Sequence, residues 1–311
     1  MRKSGFRRLR LQFSLRAMFV LMTVCAVWLG IEARRARQQR EAVERLLEIG
    51  GSVRYDYEYD QSGVYQANAE PPGPAWLREF LGREYFQEVV YVHLTGTVAN
   101  DDDLRHVGAL RNLETAWLNG TSISDKGAAH LRGLTNLKHL YLQDTRIGDK
   151  TLEHLGRLHG LEGLHLGSTD ITDDGLRHLR HLRRLISLNL PNTRIAGQGL
   201  PYVHNLPKLE YIDLRHCPVA DSALRALDES TTPWWLDLRN TRVGDDGIAY
   251  LAKVPSLKRL EITQGQASAA ALDELRRGLP QCQVVIESVA PIPEPSLNHQ
   301  QRGAARQLAA W

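Results

Sequence analysis

A threonine recurs every 24 residues through the middle of the chain. The series consists of Thr97, Thr121, Thr145, Thr169, Thr193 and Thr241, and Cys217 occupies the missing position. Apolar residues recur eight, five and three residues before each of these positions, so that each unit reads L-x-x-L-x-L-x-x-T. A fixed period of this length indicates stacked supersecondary units with one continuous apolar core. We therefore expect an α/β solenoid of eight 24-residue repeats and a terminal strand over residues 89–286.

Each repeat predicts one strand and one convex-side segment. The L-x-L segment is expected to pair in parallel with its neighbours, with the leucines inward and the intervening residues on the concave side. An aspartate recurs after the threonine position, and in the clearest units it precedes leucines at helical spacing, as in 152–158. These aspartates are predicted to cap the helices, which leaves little reason to propose a calcium column. The threonine hydroxyls are expected to bond the turns of adjacent repeats.

The N-terminus predicts a membrane segment. A basic stretch, residues 1–12, precedes an apolar run over 13–31, and this run is 19 residues long. A span needs ~20 residues, and Arg16 can extend its side chain toward the membrane surface. A cleaved signal peptide is the alternative, but no small-x-small cleavage site follows. An uncleaved signal anchor is favoured, with the C-terminal part translocated, although lysines and arginines on the two sides differ little in number.

Residues 32–50 predict a charged juxtamembrane helix that ends at two glycines. Residues 51–88 are expected to form a cap over the first repeat, with Trp76, Phe80 and Phe86 in its core. Residues 287–311 are rich in proline and polar side chains, and this composition predicts a disordered tail.

The composition excludes several functional classes. A net charge of +3 is too small to indicate a nucleic-acid partner, and three cysteines exclude a disulfide framework. The chain has no nucleophile elbow, phosphate loop or H-E-x-x-H motif, so we expect neither an enzyme nor a cofactor or metal. The densest basic patch is 177–184. A solvated face is its simplest interpretation; anionic headgroups, a cell-wall polymer or an acidic protein are alternatives.

The outward strand positions predict a concave surface that is aromatic in its N-terminal half and acidic in its C-terminal half. Its central column consists of His93, Trp117, Tyr141, His165, Asn189, Asp213, Asp237 and Glu261, and its flanks include Tyr91, His139, Tyr211, Trp235 and Arg239. Exposed aromatic and charged residues favour binding of a protein or glycan. Ordinary solvent-facing strand residues are the simpler interpretation.

Two more specific hypotheses for this surface, catalysis and metal binding, have less support. The three acidic residues could form an acid–base pair for glycoside hydrolysis, but Arg215, Arg239 and Arg259 alongside would keep them ionised. His139 and His165 could share a metal ion, but they lack an obvious third ligand.

The full pattern, L-x-x-L-x-L-x-x-T/C-x-I-x-D-x-G-L-x-x-L, resembles the cysteine-containing subclass of leucine-rich repeat. Together with the Phe-Ser-Leu-Arg start of the apolar run, the chain is similar to membrane-tethered leucine-rich repeat proteins of bacteria. This resemblance implies a location in the bacterial inner membrane with the repeats outside the cytoplasm, and says little about function. Gly197 at an aspartate position and Pro233 at a leucine position depart from the pattern.

Overall fold

The computed structural model describes residues 15–60, 64–204, 206–227 and 235–288. The predicted basic segment 1–12, Pro233 and nearly all of the predicted tail therefore lie outside the described residues. The first element is a single helix, α1, which spans Leu15–Glu48. It continues without a break across residues 31 and 32, where the sequence suggested a change from membrane segment to juxtamembrane helix.

One ten-stranded sheet follows the order of the chain, β1 to β10. The strands are Ser52–Tyr55, Val89–His93, Thr115–Trp117, His139–Tyr141, Gly163–His165, Ser187–Asn189, Tyr211–Asp213, Trp235–Asp237, Arg259–Thr263 and Gln283–Glu287. β1 pairs with β2 in antiparallel orientation, and all later pairs are parallel. Every parallel pair is offset by 24 residues, as when Leu140 pairs with Leu164. The predicted leucine-rich repeat solenoid is confirmed.

The convex side carries short helices. A short helix in the cap, α2, spans Ala75–Leu81. The repeat helices, α3 to α8, are Leu104–Val107, Asp125–Ala128, Asp149–Leu155, Asp173–Leu176, Asp245–Leu251 and Ala269–Gly278. Short 3₁₀ helices extend α4 and α6, and they replace the α-helix at Leu200–Tyr202 and Asp221–Ala226. The first of these replacements follows Gly197, whose φ of 101° is left-handed and unfavourable for a helix start.

The core is one row of leucine columns between the sheet and the convex side. Leu137, Leu140 and Leu142 are fully buried, and so are their counterparts at 24-residue intervals in the next two repeats. Each leucine therefore contacts the same position of the repeat before and after it. Because every repeat buries its apolar face only against its neighbours, no repeat has a separate core.

The prediction that the recurring aspartates cap their own helices is wrong. They accept hydrogen bonds from the following repeat instead. Asp149 accepts hydrogen bonds from the backbone N–H of Thr172 (2.9 Å) and from its hydroxyl (2.7 Å), and Thr172 is the N-cap of α6. Asp101 binds Ser124 in the same way. Burial, the strongest influence, raises the pKa of Asp101, but these hydrogen bonds outweigh it and bring the pKa below its ordinary value. The aspartate column is thus a charged ladder between repeats.

The threonine column closes the turn of its own repeat, contrary to the expectation that it joins adjacent repeats. Thr145 donates to the carbonyl of Leu142 (2.6 Å), and the other threonines repeat this bond. The residue before the threonine is left-handed in each of these turns, as at Asp144 with φ 55°. Cys217 is different, because its thiol donates to the carbonyl of Leu190 in the preceding repeat (3.0 Å).

The C-terminal part of α1 belongs to the cap, which therefore begins before the predicted residue 51. Ala42 and Leu46 are fully buried against the first repeat, and Arg45 pairs with the buried Asp103 at 2.8 Å. The prediction that Trp76 and Phe80 form the cap core is wrong, since they are 68% and 80% exposed. Helix α1 covers the first repeat in their place, so these rings have no apolar surface left to cover.

We expect Asp149→Ala to lower the free energy of unfolding by about 2–3 kcal/mol, because it removes two charged hydrogen bonds from the next repeat. Urea unfolding followed by circular dichroism measures this. The matched control is Asp170→Ala, which removes a surface salt bridge whose two side chains are 66% and 71% exposed. That change is expected to cost less than about 1 kcal/mol. An equal loss of unfolding free energy in both variants would contradict a stabilising role of the aspartate ladder.

Candidate functional site

Four aromatic side chains from consecutive strands form a ladder on the concave face. His93 meets Trp117 edge to face, with centroids 6.0 Å apart. Trp117 stacks on Tyr141 at 4.0 Å, and Tyr141 stacks on His165 at 4.2 Å. In-register parallel strands lie ~4.8 Å apart, so identical positions in adjacent repeats reach stacking distance without any distortion of the sheet. We call these four residues the aromatic ladder.

The ladder ends in a buried polar contact at His165. The Asn189 amide donates to Nδ1 of this ring, which is the arrangement of a neutral imidazole. Burial and then the neighbouring His139 lower the pKa of His165 to about 4, while Asp213 opposes the shift. His165 is therefore uncharged at neutral pH, and the aromatic ladder carries no positive charge at this end.

The C-terminal half of the concave face is a network of ion pairs. Arg239 lies 2.6 Å from Asp237 and 3.0 Å from Glu261, and it also contacts Glu287. Arg215 pairs with Asp213 at 2.7 Å and with Asp237 at 3.2 Å. Arg259 pairs with Glu261 at 2.6 Å. The network thus alternates carboxylates and guanidinium groups across four strands.

The expected open acidic surface is wrong, because the carboxylates lie beneath the arginines. Asp213, Asp237 and Glu261 are only 2%, 0% and 3% exposed. Each has an arginine two residues away on the same strand face, and a guanidinium on a long stem can fold back over a short carboxylate. The charged groups that reach the solvent here are therefore arginines. This spacing was visible in the sequence, but it indicated only that charges are neighbours and not which one covers the other.

The flanks of the network are aromatic. Tyr211 packs against Trp235 with centroids 4.7 Å apart, and the guanidinium of Arg259 lies 4.4 Å above the Trp235 ring. Burial, followed by the charges of Asp213 and Asp237, raises the pKa of Tyr211, so its hydroxyl stays protonated. Tyr91 and His93 stack at 6.5 Å at the opposite end of the sheet.

Two side-chain oxygens near the aromatic ladder are buried. The side-chain oxygens of Gln143 and Asn189 accept no hydrogen bond from any residue that the structure describes. The position of Gly163 is tightly packed, because a Cβ there would lie 2.8 Å from Nδ1 of His139. The sequence placed Gln143 beside the central column of the concave face, but only the packing of neighbouring strands shows that its side-chain oxygen is buried.

The site shows no arrangement for a metal ion. Among the described residues, no three His, Cys, Asp or Glu side chains are grouped so that they could hold one. His139 and His165 lie on adjacent strands, and His165 is already bonded to Asn189. The acidic residues are held by arginines, which is a structural arrangement and not one that frees a carboxyl for proton transfer.

We expect Arg239→Met to lower the free energy of unfolding by about 3 kcal/mol at pH 7, because Asp237 and Glu261 stay buried without their shared cation. Burial already raises the pKa of Asp237, so the variant should recover part of this loss as the pH falls and Asp237 takes up a proton. Urea unfolding at two pH values tests this. In the control Arg194→Met, which removes an exposed ion pair, a loss of similar size would contradict the explanation.

The low pKa of His165 predicts acid sensitivity. The unfolded chain takes up a proton near the ordinary value of 6.5, whereas the folded chain resists protonation until about pH 4. Stability from this group is therefore complete above pH 6.5 and falls as the pH decreases toward 4. Between pH 7 and pH 5 the loss should be on the order of 1–2 kcal/mol.

Thermal unfolding of the wild type and of His165→Gln across this range measures the effect as a difference between the two curves. His130→Gln, at an exposed histidine, is the control and should follow the wild type. Parallel curves for the wild type and His165→Gln would contradict a neutral, buried His165.

Comparison with known proteins agrees with the fold. Residues 133–155 and 205–227 match the family described as Leucine Rich repeat. A leucine-rich repeat protein of Leptospira interrogans is 17% identical with a TM-score of 0.39, over 58% of this chain and 56% of that one. Internalin C2 from Listeria monocytogenes is 20% identical with a TM-score of 0.39, over 65% and 81% of the two chains. The chain thus spans just over half the length of the Leptospira protein. No curated protein matches the sequence.

Proposed function

We propose that this chain is a membrane-tethered interaction module that binds a protein partner on its concave face. Domains of the leucine-rich repeat type are typically protein-interaction modules and usually not enzymes. The observation that carries the proposal is the aromatic ladder, which lies on the solvent side of the sheet and is only partly buried. Rigid aromatic side chains cost little conformational entropy when a partner covers them.

The arginine-covered half supplies a second type of contact. Arg215, Arg239 and Arg259 are preorganised by their carboxylates, so they need not be ordered on binding. Arginine and aromatic side chains are the residue types that dominate the energetics of protein interfaces.

A protein is better supported than a glycan. Sugars stack on open aromatic faces, but in the aromatic ladder the faces of Trp117 and Tyr141 cover each other. The ladder therefore presents ring edges. Trp235 has its face covered by Arg259 as well. A glycan partner, the alternative, would need one of these stacks to open.

The anchor is the second part of the proposal. Helix α1 is long and apolar enough to cross a membrane, with a mean hydropathy of 1.6 in its most apolar 18-residue window, none of it buried. A signal sequence meets the same criteria. An anchor is favoured because α1 continues past the apolar run and its C-terminal turns are part of the cap, so the segment is joined rigidly to the folded domain. We place the repeats outside the cytoplasm of a bacterial cell.

We expect Trp117→Ala with Tyr141→Ala to reduce binding of the partner at least about tenfold, since hot-spot aromatics contribute ~2 kcal/mol or more each. The partner is identified by chemical cross-linking of the full-length chain in native membranes and mass spectrometry, and its yield is compared between variants. Thermal unfolding of each variant establishes that it folds.

Trp76→Ala with Phe80→Ala is the matched control, because it removes two exposed aromatic side chains outside the concave face. It should leave the cross-linked yield unchanged. If the concave variant retains its partner and the control loses it, binding occurs at the cap. If no protein is captured in a saturable manner by the wild type, the chain is a passive spacer and the proposal fails.

A further inference from the structure

Helix α1 fixes how the solenoid stands relative to a membrane. Nine residues before the helix ends, the side chain of Gln39 donates a hydrogen bond of 2.9 Å to the carbonyl of Gln87, just before β2 begins. Near its end, Arg45 bonds Asp103, which lies after β2. The helix therefore crosses the end of the solenoid from the side where strands begin to the side where they end. The strands run roughly along the helix axis, and so roughly along the membrane normal.

The side where strands begin lies closest to the membrane. Loop residues 109–112 and 133–136 share a cleft with Glu32, Arg35 and Gln39 of α1. The apolar run ends at Ile31, and a helix rises 1.5 Å per residue, so these loops lie within about 10 Å of the hydrocarbon boundary along the helix. The headgroup layer is roughly 5–8 Å thick on each side. The loops are thus at or just above the headgroups.

This side of the solenoid is strongly basic. We define the basic edge as the loops that precede strands β3 to β6, and its exposed arginines are Arg111, Arg132, Arg157, Arg180, Arg183 and Arg184. Within the described residues none of the six forms a salt bridge, and Arg180 only donates to the neighbouring His181. Lys208, Lys253 and Lys258, which are also exposed, continue the row in later repeats. Glu88, Glu114, Glu162 and Glu210 lie where loops enter strands, and Glu114 pairs with Lys138 of the same edge, so an excess of positive charge remains.

The opposite side is acidic, so the solenoid has opposite charges on its two edges. There the aspartate ladder follows the strands and binds backbone N–H groups of the next repeat. Those carboxylates have a structural role that accounts for them. The arginine side chains of the basic edge have no such role, because the turns beside them are closed by backbone hydrogen bonds, such as that from the N–H of Leu137 to the carbonyl of Leu134.

We propose that the basic edge rests on the anionic lipid headgroups of the membrane that α1 spans; this rests on the proposed anchor. We choose lipid headgroups by position as well as by charge, because the loops lie at headgroup height and the six arginines form no salt bridge among the residues that the structure describes. The axis of the solenoid is then parallel to the membrane plane, and its strands run along the membrane normal. Its concave face opens sideways, so that a partner approaches in the plane of the membrane.

The test compares arginines within one molecule. The full-length chain is placed in nanodiscs of phosphatidylcholine alone, or of phosphatidylcholine mixed with phosphatidylglycerol, and an uncharged arginine reagent is followed by mass spectrometry. Modification of Arg157, Arg183 and Arg184 should slow about fivefold in anionic discs, the equivalent of ~1 kcal/mol per basic residue near an anionic surface. Arg146, Arg194 and Arg242, exposed on the opposite edge, are internal controls and should react equally in both lipids.

Two triple variants test whether the positive charges of the basic edge are what keeps it in contact with the anionic membrane. Arg180→Glu, Arg183→Glu and Arg184→Glu together should restore the reactivity of Arg157 in anionic discs. Reversal of the three control arginines changes the net charge equally and should leave the protection of Arg157 intact.

Alkaline carbonate washing separates failure of the anchor from failure of this inference. If the chain is washed out of the membrane, both the anchor and the contact are overturned. If the chain stays and the two sets of arginines react alike in anionic discs, the anchor stands and the contact is overturned, which leaves the basic edge to an acidic protein or polymer.

Discussion

The structure depends on parallel strands that pair in register at an interval of 24 residues. This pairing places each side chain beside its counterpart in the next repeat, as with Leu164 and Leu188. A column of leucines thereby becomes a continuous core, and a column of aspartates becomes a ladder of hydrogen bonds between repeats. The pairing also determines the concave face, since rings from adjacent strands stack only because they share a register.

The same repetition separates the charges of the molecule. Carboxylates are required after the strands, where they bind the N–H groups of the next repeat, and this requirement makes one edge acidic. No comparable requirement applies before the strands. Arginines therefore occur there that form no salt bridge with any described residue, and one of them, Arg111, lies in the cleft beside α1. The function of an edge in such a protein is best sought where side chains lack a structural role.

The concave face combines two strategies for presenting polar groups. In its N-terminal half, burial makes His165 neutral, and the aromatic ladder is almost free of charge. In its C-terminal half, arginines pair with the buried carboxylates beneath them, and nearly all of the charge is compensated internally. A preorganised surface of this kind loses little entropy when it is covered.

The sequence alone determined the repeat length, the strands, the core columns and the apolar N-terminal segment, because these follow from periodicity, and periodicity is a property of the chain. It also identified the residues of the concave face. It did not determine that α1 is the cap and leaves Trp76 and Phe80 exposed, or that arginines cover Asp213, Asp237 and Glu261. Nor did it show that the aspartates hold the next repeat and not their own helix. In each case two groups compete for the same place: helix or ring over the first repeat, arginine or carboxylate at the surface, and own helix or next repeat as the partner of an aspartate. The sequence shows that both groups are near, and only three-dimensional packing decides between them.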